Sequence, residues 1–267
     1  MTDAETDTAR DSSLFVQSVE KAAGVLSVFT GEQPTLSLSE IAKKSGLDMS
    51  AAQRFVYTLR VLGLISRDES TRRYRLTPKL LHFGYSYLRS SDLVNRCSPH
   101  LLELNNRSSE TTNLTVLDGT EIVFVMRLLS RHVANFDTIV GSRLPAFCTA
   151  PGLAMLATFD DAAIDKILAA TELKRYTPFT IVAPRGIRNK INTVRKSGFA
   201  AISEEITVGD ISIAAPVIGE DGRAMGAINV AVPTNRWSFD DAQSTFAESV
   251  VAAAQRSSWR MDWQLRM

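Results

Sequence analysis

The chain has 267 residues, 45% of them hydrophobic and 22% charged, with a formal net charge of +1. That balance describes a soluble globular protein with enough apolar side chains for a real core, arranged as two ordinary domains or one large one. No window approaches the run of about 20 apolar residues that a membrane span requires. The first dozen residues are polar and acidic, without the apolar stretch of a secretory signal, so residues 1–13 read as a disordered tail and the cytoplasm as the natural compartment. Two cysteines, Cys97 and Cys148, and three histidines, His82, His100 and His132, are scattered without ligand-like spacing. Neither a disulfide framework nor a metal site is expected, and no cofactor.

Apolar residues at helical spacing predict a first helix over 16–29, with a break at Gly31 to Pro34. Ser37 and Glu40 then form a capping box that opens a short helix over 38–45, ended by Gly46. Asp48 is placed to cap a second helix over 49–62, closed by Gly63. Two short helices joined through Ser45, Gly46 and Leu47 match a helix-turn-helix. Strands over 64–67 and 73–76 around the polar turn 68–72 add a basic hairpin wing. Between Ile41 and Lys79 nine basic residues face three acidic ones, inside a nearly neutral chain. Such a segment is suited to neutralise phosphates, although charge alone leaves a solvated basic face equally open.

Thr77 and Pro78 open a linker helix over 78–89, and a domain boundary is expected near residue 90. Beyond it, helices are expected over 92–108, 150–159, 161–171 and 187–197, with a last one running from Ser238 toward Trp259. Strands are expected over 113–117, 121–128, 133–139, 211–218 and 224–232. The pattern is an α+β sheet domain with flanking helices. The domains therefore read as a winged helix-turn-helix at 14–77, a linker helix at 78–90 and a sheet domain at 91–267.

In a helix-turn-helix the start of the second helix faces base edges in the major groove. Here that stretch offers Ser50, Gln53 and Arg54; Gln53 suits adenine, Arg54 guanine or a phosphate, and Ser50 either. Ser39 and Lys43 on the first helix are candidates for backbone phosphate, and Arg72 and Arg73 on the wing for phosphate or the minor groove. For Arg67 and Arg75, a surface salt bridge and a DNA contact are both open.

In the second domain, Ile211, Ile213, Ala215 and Val217 share one strand face and Ser212 and Ala214 the other. Along 227–232, Ala227, Asn229 and Ala231 oppose Ile228, Val230 and Val232. One face is branched and fit to pack under helices. The other is small, with two isolated polar groups, which leaves room for a ligand or for a closely packed helix. The motifs of phosphate loops, serine hydrolases and zinc proteases are missing, so no enzymatic activity is expected. Cys148 has no evident catalytic partners, and Glu204 and Glu205 read as a surface pair or a polar pocket wall.

The stretches VQSVEKAAGVL (16–26), LSLSEIAKKSGL (36–47), LGLISRD (62–68), YRLTPKLLHFG (74–84), GSRLPAFCTAPGLAMLA (141–157), GFAAISEE (198–205) and ISIAAPV (211–217) resemble, in order, the IclR family of regulators. The resemblance implies a winged-helix DNA-binding domain, a GAF-like effector domain, and homodimers or homotetramers on pseudo-palindromic double-stranded operators. It also implies a small organic acid as effector, of the kind met in catabolism of a carbon source. Met49 and Ala51 depart from the Lys and Thr common in the family, which removes two polar contacts from the reading helix. Family members that bind small carboxylates carry polar groups at the positions of Ile202, Ser212, Asn229 and Ala231, two of which are apolar here. That departure favours a larger or partly apolar effector, such as an aromatic carboxylic acid. The loop at 141–149 is expected to close the pocket with Phe147 as a stacking surface and Thr149 beside it. Arg143 has two readings, a partner for the effector carboxylate or a structural salt bridge. A ligand-responsive transcriptional regulator is thus the leading expectation; the alternative is a small-molecule-binding protein whose winged helix makes protein contacts.

Overall fold

The computed structural model describes residues 10–131 and 138–259, which divide into two compact units, 1–87 and 88–267. The first unit contains α1 (Gln17–Ser27), α2 (Leu38–Ser45), α3 (Met49–Val61) and the hairpin β1 (Ile65–Arg67) and β2 (Tyr74–Leu76). Its local rules are met atom by atom. The Ser37 amide donates to Glu40 Oε2 at 2.7 Å and the Glu40 amide to Ser37 Oγ at 3.3 Å, closing the capping box. Gly46 follows with φ +67°, the left-handed turn that reverses the chain into α3. Asp48 Oδ1 then accepts from the Ala51 amide at 2.8 Å. Val25, Ile41, Val56, Leu59 and Ile65 are buried together as the core, with Leu36 bridged to Tyr74 on the wing. At the wing tip Asp68 Oδ1 accepts from the amides of Ser70 and Thr71, both at 2.9 Å. These bonds, with the Ser70 hydroxyl foremost, hold its carboxyl down at about 2.

Thr77 does not cap the next helix. Its hydroxyl donates to the carbonyl of Gly63 at 2.6 Å, so the chain first makes a single tight turn at Pro78–Leu80 and only then enters α4 (Leu81–Ser90). Of the expected tail, residues 1–9 lie outside the described residues, whereas Arg10 pairs with Glu20 at 3.1 Å.

The second unit is built on six antiparallel strands in the order β5-β4-β3-β8-β7-β6. They are β3 (Thr111–Asp118), β4 (Glu121–Leu128), β5 (Arg143–Pro145), β6 (Ala200–Ser203), β7 (Asp210–Ile218) and β8 (Ala224–Pro233). The helices are α5 (Asp92–Ser108), α6 (Ala150–Leu156), α7 (Asp161–Ala169), α8 (Pro184–Ser197) and α9 (Phe239–Ser257). Two short edge strands, β5 and β6, carried no alternating pattern long enough to be predicted. The strand expected at 133–139 lies outside the described residues for all but its last two positions. No helix is long and apolar enough to cross a membrane among the described residues.

The branched sheet face packs under α5 and α9, where Ile213, Ile228 and Val230 meet Leu101, Phe246 and Val250. The small face receives α6, whose Leu153 and Ala154 lie over Ala214 and Ala227. At Gly152 the start of α6 lies against the turn that precedes it, and an added Cβ would overlap the carbonyl oxygen of Ala146. Gly152→Ala is expected to cost about 1–3 kcal/mol through this overlap and to lower Tm by several degrees. A thermal melt checks it; an unchanged Tm would mean that α6 lifts from the turn below it without strain.

Candidate functional site

On α3 the buried positions Ala52, Val56 and Leu59 turn inward, leaving Ser50, Gln53 and Arg54 exposed on the opposite side. Tyr57 continues that exposed row at the next helical spacing and was missed in sequence, although the 50-53-54-57 repeat contains it. Arg54 lines a shallow groove between α3 and α1 together with Gln17, Ser18 and Lys21. Lys21 was likewise missed, because nothing in the first helix marks which of its faces meets α3. Ser39 and Lys43 are exposed on α2, with Ser39 Oγ 3.1 Å from Ser37 Oγ, and Arg72 is exposed at the wing tip with φ +57°.

Arg73 is placed differently from the expectation that it faces DNA. Its Nη2 donates to Glu40 Oε2 at 2.8 Å and to the Thr35 carbonyl at 2.9 Å, and its Nε to Thr35 Oγ1 at 3.3 Å. Most of its donor fork therefore ties the wing to the capped start of α2. Glu40 is held below its ordinary carboxyl range, first by the Ser37 amide and with a further contribution from Arg73.

A cavity of about 110 Å³ opens on the small face of the sheet. Of the residues expected there, Thr149, Ile202, Ser212, Asn229 and Ala231 do line it. Thr149 is already engaged, donating to the Pro145 carbonyl at 3.0 Å and accepting from the Gly152 amide at 3.2 Å to cap α6. Arg143 does not line the cavity. On the edge strand β5 it donates to Glu121 Oε2 and to Asp118 Oδ2, both at 2.7 Å, so its structural reading holds. Phe147 is not a cavity wall either: it is 1% exposed, packed in the core between α6 and the sheet.

The groups that sequence reading missed are the most polar ones. Arg127 and Asn113 line the cavity, with Arg127 Nη1 donating to Asn113 Oδ1 at 2.9 Å. Asn113 pairs across the sheet with Asn229, and Asn229 Nδ2 donates to Ser212 Oγ at 3.0 Å. Arg127 reaches this face only through an irregularity of β4. Thr115 opposes Phe124 while Leu114 opposes Met126, so one extra residue, Val125, is inserted. Strict alternation from Ile122 and Phe124 would send Arg127 to the other face; the bulge restores it to theirs. No sequence signal marks that insertion.

Asp210, at the start of β7, also lines the cavity. Burial pushes its carboxyl up to about 7, with the charge of Arg127 pulling the other way. A carboxyl raised above its ordinary value of 3.8 binds a proton more tightly folded than unfolded, so its favourable contribution is full at low pH. It is lost as pH climbs to about 7. Tm is therefore expected to fall over that interval, and Asp210→Asn to flatten the decline; melts across pH 4.5 to 8 check this, and an identical slope in the variant refutes it.

Residues 18–69 match the IclR helix-turn-helix domain, and residues 85–259 match the bacterial transcriptional regulator IclR C-terminal domain. The Pca regulon regulatory protein of Pseudomonas putida is 29% identical over 90% of this chain and 82% of its own length. The p-hydroxybenzoate hydroxylase transcriptional activator of Acinetobacter baylyi is 30% identical over 83% of each chain. A solved structure of a transcriptional regulator from Rhodococcus sp. RHA1 superposes with TM-score 0.76 at 32% identity, over 91% of this chain and 97% of that one. With two family models matched in order and a sheet of the same fold behind the winged helix, the chain belongs to the IclR family of DNA-binding transcriptional regulators.

Proposed function

We propose that this regulator controls a catabolic operon in response to a ring-sized carboxylic acid. The carrying observation is the cavity's wall, where Arg127 and Asn113 stand beside Ile122, Phe124, Ile202 and Ile206. A guanidinium in a half-apolar recess suits one carboxylate on an apolar frame. A cavity of roughly 150 Å³ in another protein takes up benzene, so the space of about 110 Å³ here admits a ring acid only when the walls at its mouth move apart. The likeness to the p-hydroxybenzoate hydroxylase transcriptional activator supports the same chemistry. Asn229 and Ser212 orient the far side of the effector, and Ile202 and Ala231 supply its apolar contact.

For the operator, Ser50, Gln53 and Arg54 read base edges, with Tyr57 extending the row. Lys21, Ser39, Lys43 and Arg72 hold phosphates and set the register. A pseudo-palindromic operator is read by a homodimer or homotetramer. The unburied side chains of α4 support self-association, with Leu81 73% and Phe83 61% exposed.

Arg54→Ala is expected to cost about 1–3 kcal/mol of operator binding and to relax sequence preference. Lys21→Ala should weaken all sequences alike and lower the salt slope by about one. Fluorescence anisotropy on the upstream DNA at several salt concentrations separates the two; binding indifferent to salt would favour a winged helix that contacts protein. For the effector, a thermal-shift screen of carboxylates should find ring acids that raise Tm. Arg127→Met should abolish that shift; a shift that survives the substitution removes Arg127 from the site.

A further inference from the structure

Among the described residues lining the cavity there is one cation, Arg127, and three carboxyl groups, Glu204, Glu205 and Asp210. Two of the three are held by hydrogen bonds or an ion pair, and the third, Asp210, feels the charge of Arg127. Glu205 pairs with Lys190 of α8 and accepts from the Ile181 amide at 3.3 Å. Glu204, held at φ +60° in the turn after β6, accepts from the Gly209 amide at 2.8 Å. Asp210 lies on the same strand face as Ser212, two residues before it. Above about pH 7, where Asp210 is ionised, a second carboxylate on a ligand would meet Asp210 and Glu204 with no further cation among the described lining residues to offset it.

Asn229 points the same way. It is 3% exposed and its Nδ2 is spent on Ser212, while its Oδ1 is buried with no hydrogen-bond partner. A buried carbonyl oxygen in that state is destabilising until a donor reaches it. An incoming hydroxyl supplies one, and an ether or ketone oxygen does not.

We propose that the effector carries a single carboxylate and, elsewhere on its frame, a hydroxyl that donates to Asn229 Oδ1, with Asp210 selecting against dicarboxylates. The inference rests on the carboxylate reading given above and adds the second functional group. It assigns Asn229 and Asp210 as the residues that set specificity, Arg127 and Asn113 as those that hold the acid.

The test is calorimetric titration of the full chain at pH 8, where Asp210 is charged, with four sets of ligands: benzoate, the three monohydroxybenzoates, the three methoxybenzoates and the three benzenedicarboxylates. The best hydroxy isomer should bind about tenfold or more tightly than benzoate, since a site built for a hydroxyl penalises its loss. The methoxy acids should do no better than benzoate, and the dicarboxylates should not bind measurably. Asn229→Ala should bring the ratio of hydroxy acid to benzoate close to one. Asp210→Asn should admit a dicarboxylate. A methoxy acid or a dicarboxylate that matches the best hydroxy isomer on the unaltered protein overturns the inference. Benzoate binding with no gain from any hydroxyl overturns it while leaving the carboxylate reading in place. Failure of every ring acid to bind overturns both.

Discussion

The cavity exists because β7 and β8 carry branched side chains on one face only. Ile211, Ile213, Ile228, Val230 and Val232 must be covered, and α5 and α9 cover them. The reverse face presents Ser212, Ala214, Ala227, Asn229 and Ala231, too small to fill the space out to α6 along the whole strand. Where α6 lays Leu153 and Ala154 on Ala214 and Ala227 the gap closes, and toward Asp210 and Ile202 it stays open. Core and cavity are thus two outcomes of one alternation, and neither can be altered without the other feeling it.

The winged-helix unit depends on a smaller device of the same economy. Glu40 closes the capping box of α2 and also receives Arg73 from the wing. One carboxylate therefore fixes a helix start and the position of the hairpin relative to it. Arg54 and Lys21 along the groove, Lys43 on α2 and Arg72 at the tip are among the charges that lie outside this knot. An interface that must hold its own shape before DNA arrives cannot spend every arginine on phosphate.

Sequence reasoning succeeded where rules are local. Ser37, Glu40, Gly46 and Asp48 act within four residues of one another, so the helix-turn-helix was legible from spacing alone. The two-faced character of β7 and β8 was legible for the same reason, and it located Ser212, Asn229 and Ala231 at the cavity. Partners far apart in the chain were not legible. Arg73 meets Glu40 across 33 residues, and Arg143 meets Asp118 and Glu121 across the β3–β4 turn; both spend their charge on structure. Phe147 was misplaced because a large aromatic beside a glycine-bearing loop reads equally as wall or core, and only packing decides. Arg127 was hidden by a single inserted residue, since a two-residue period loses its phase at a bulge.

That inserted residue has a consequence for descent with modification. Val125 is the one residue of β4 with no counterpart on β3, and the strand alternates regularly on either side of it. A one-codon deletion there would join Phe124 directly to Met126, so that Phe124 and Arg127 keep the cavity face and Met126 the other. What such a deletion removes is a buried core contact, since Val125 packs in the cluster under α5 and α9. A bulge is in this way a place where a strand can gain or lose a residue across generations while the side chains lining the recess stay on their own side.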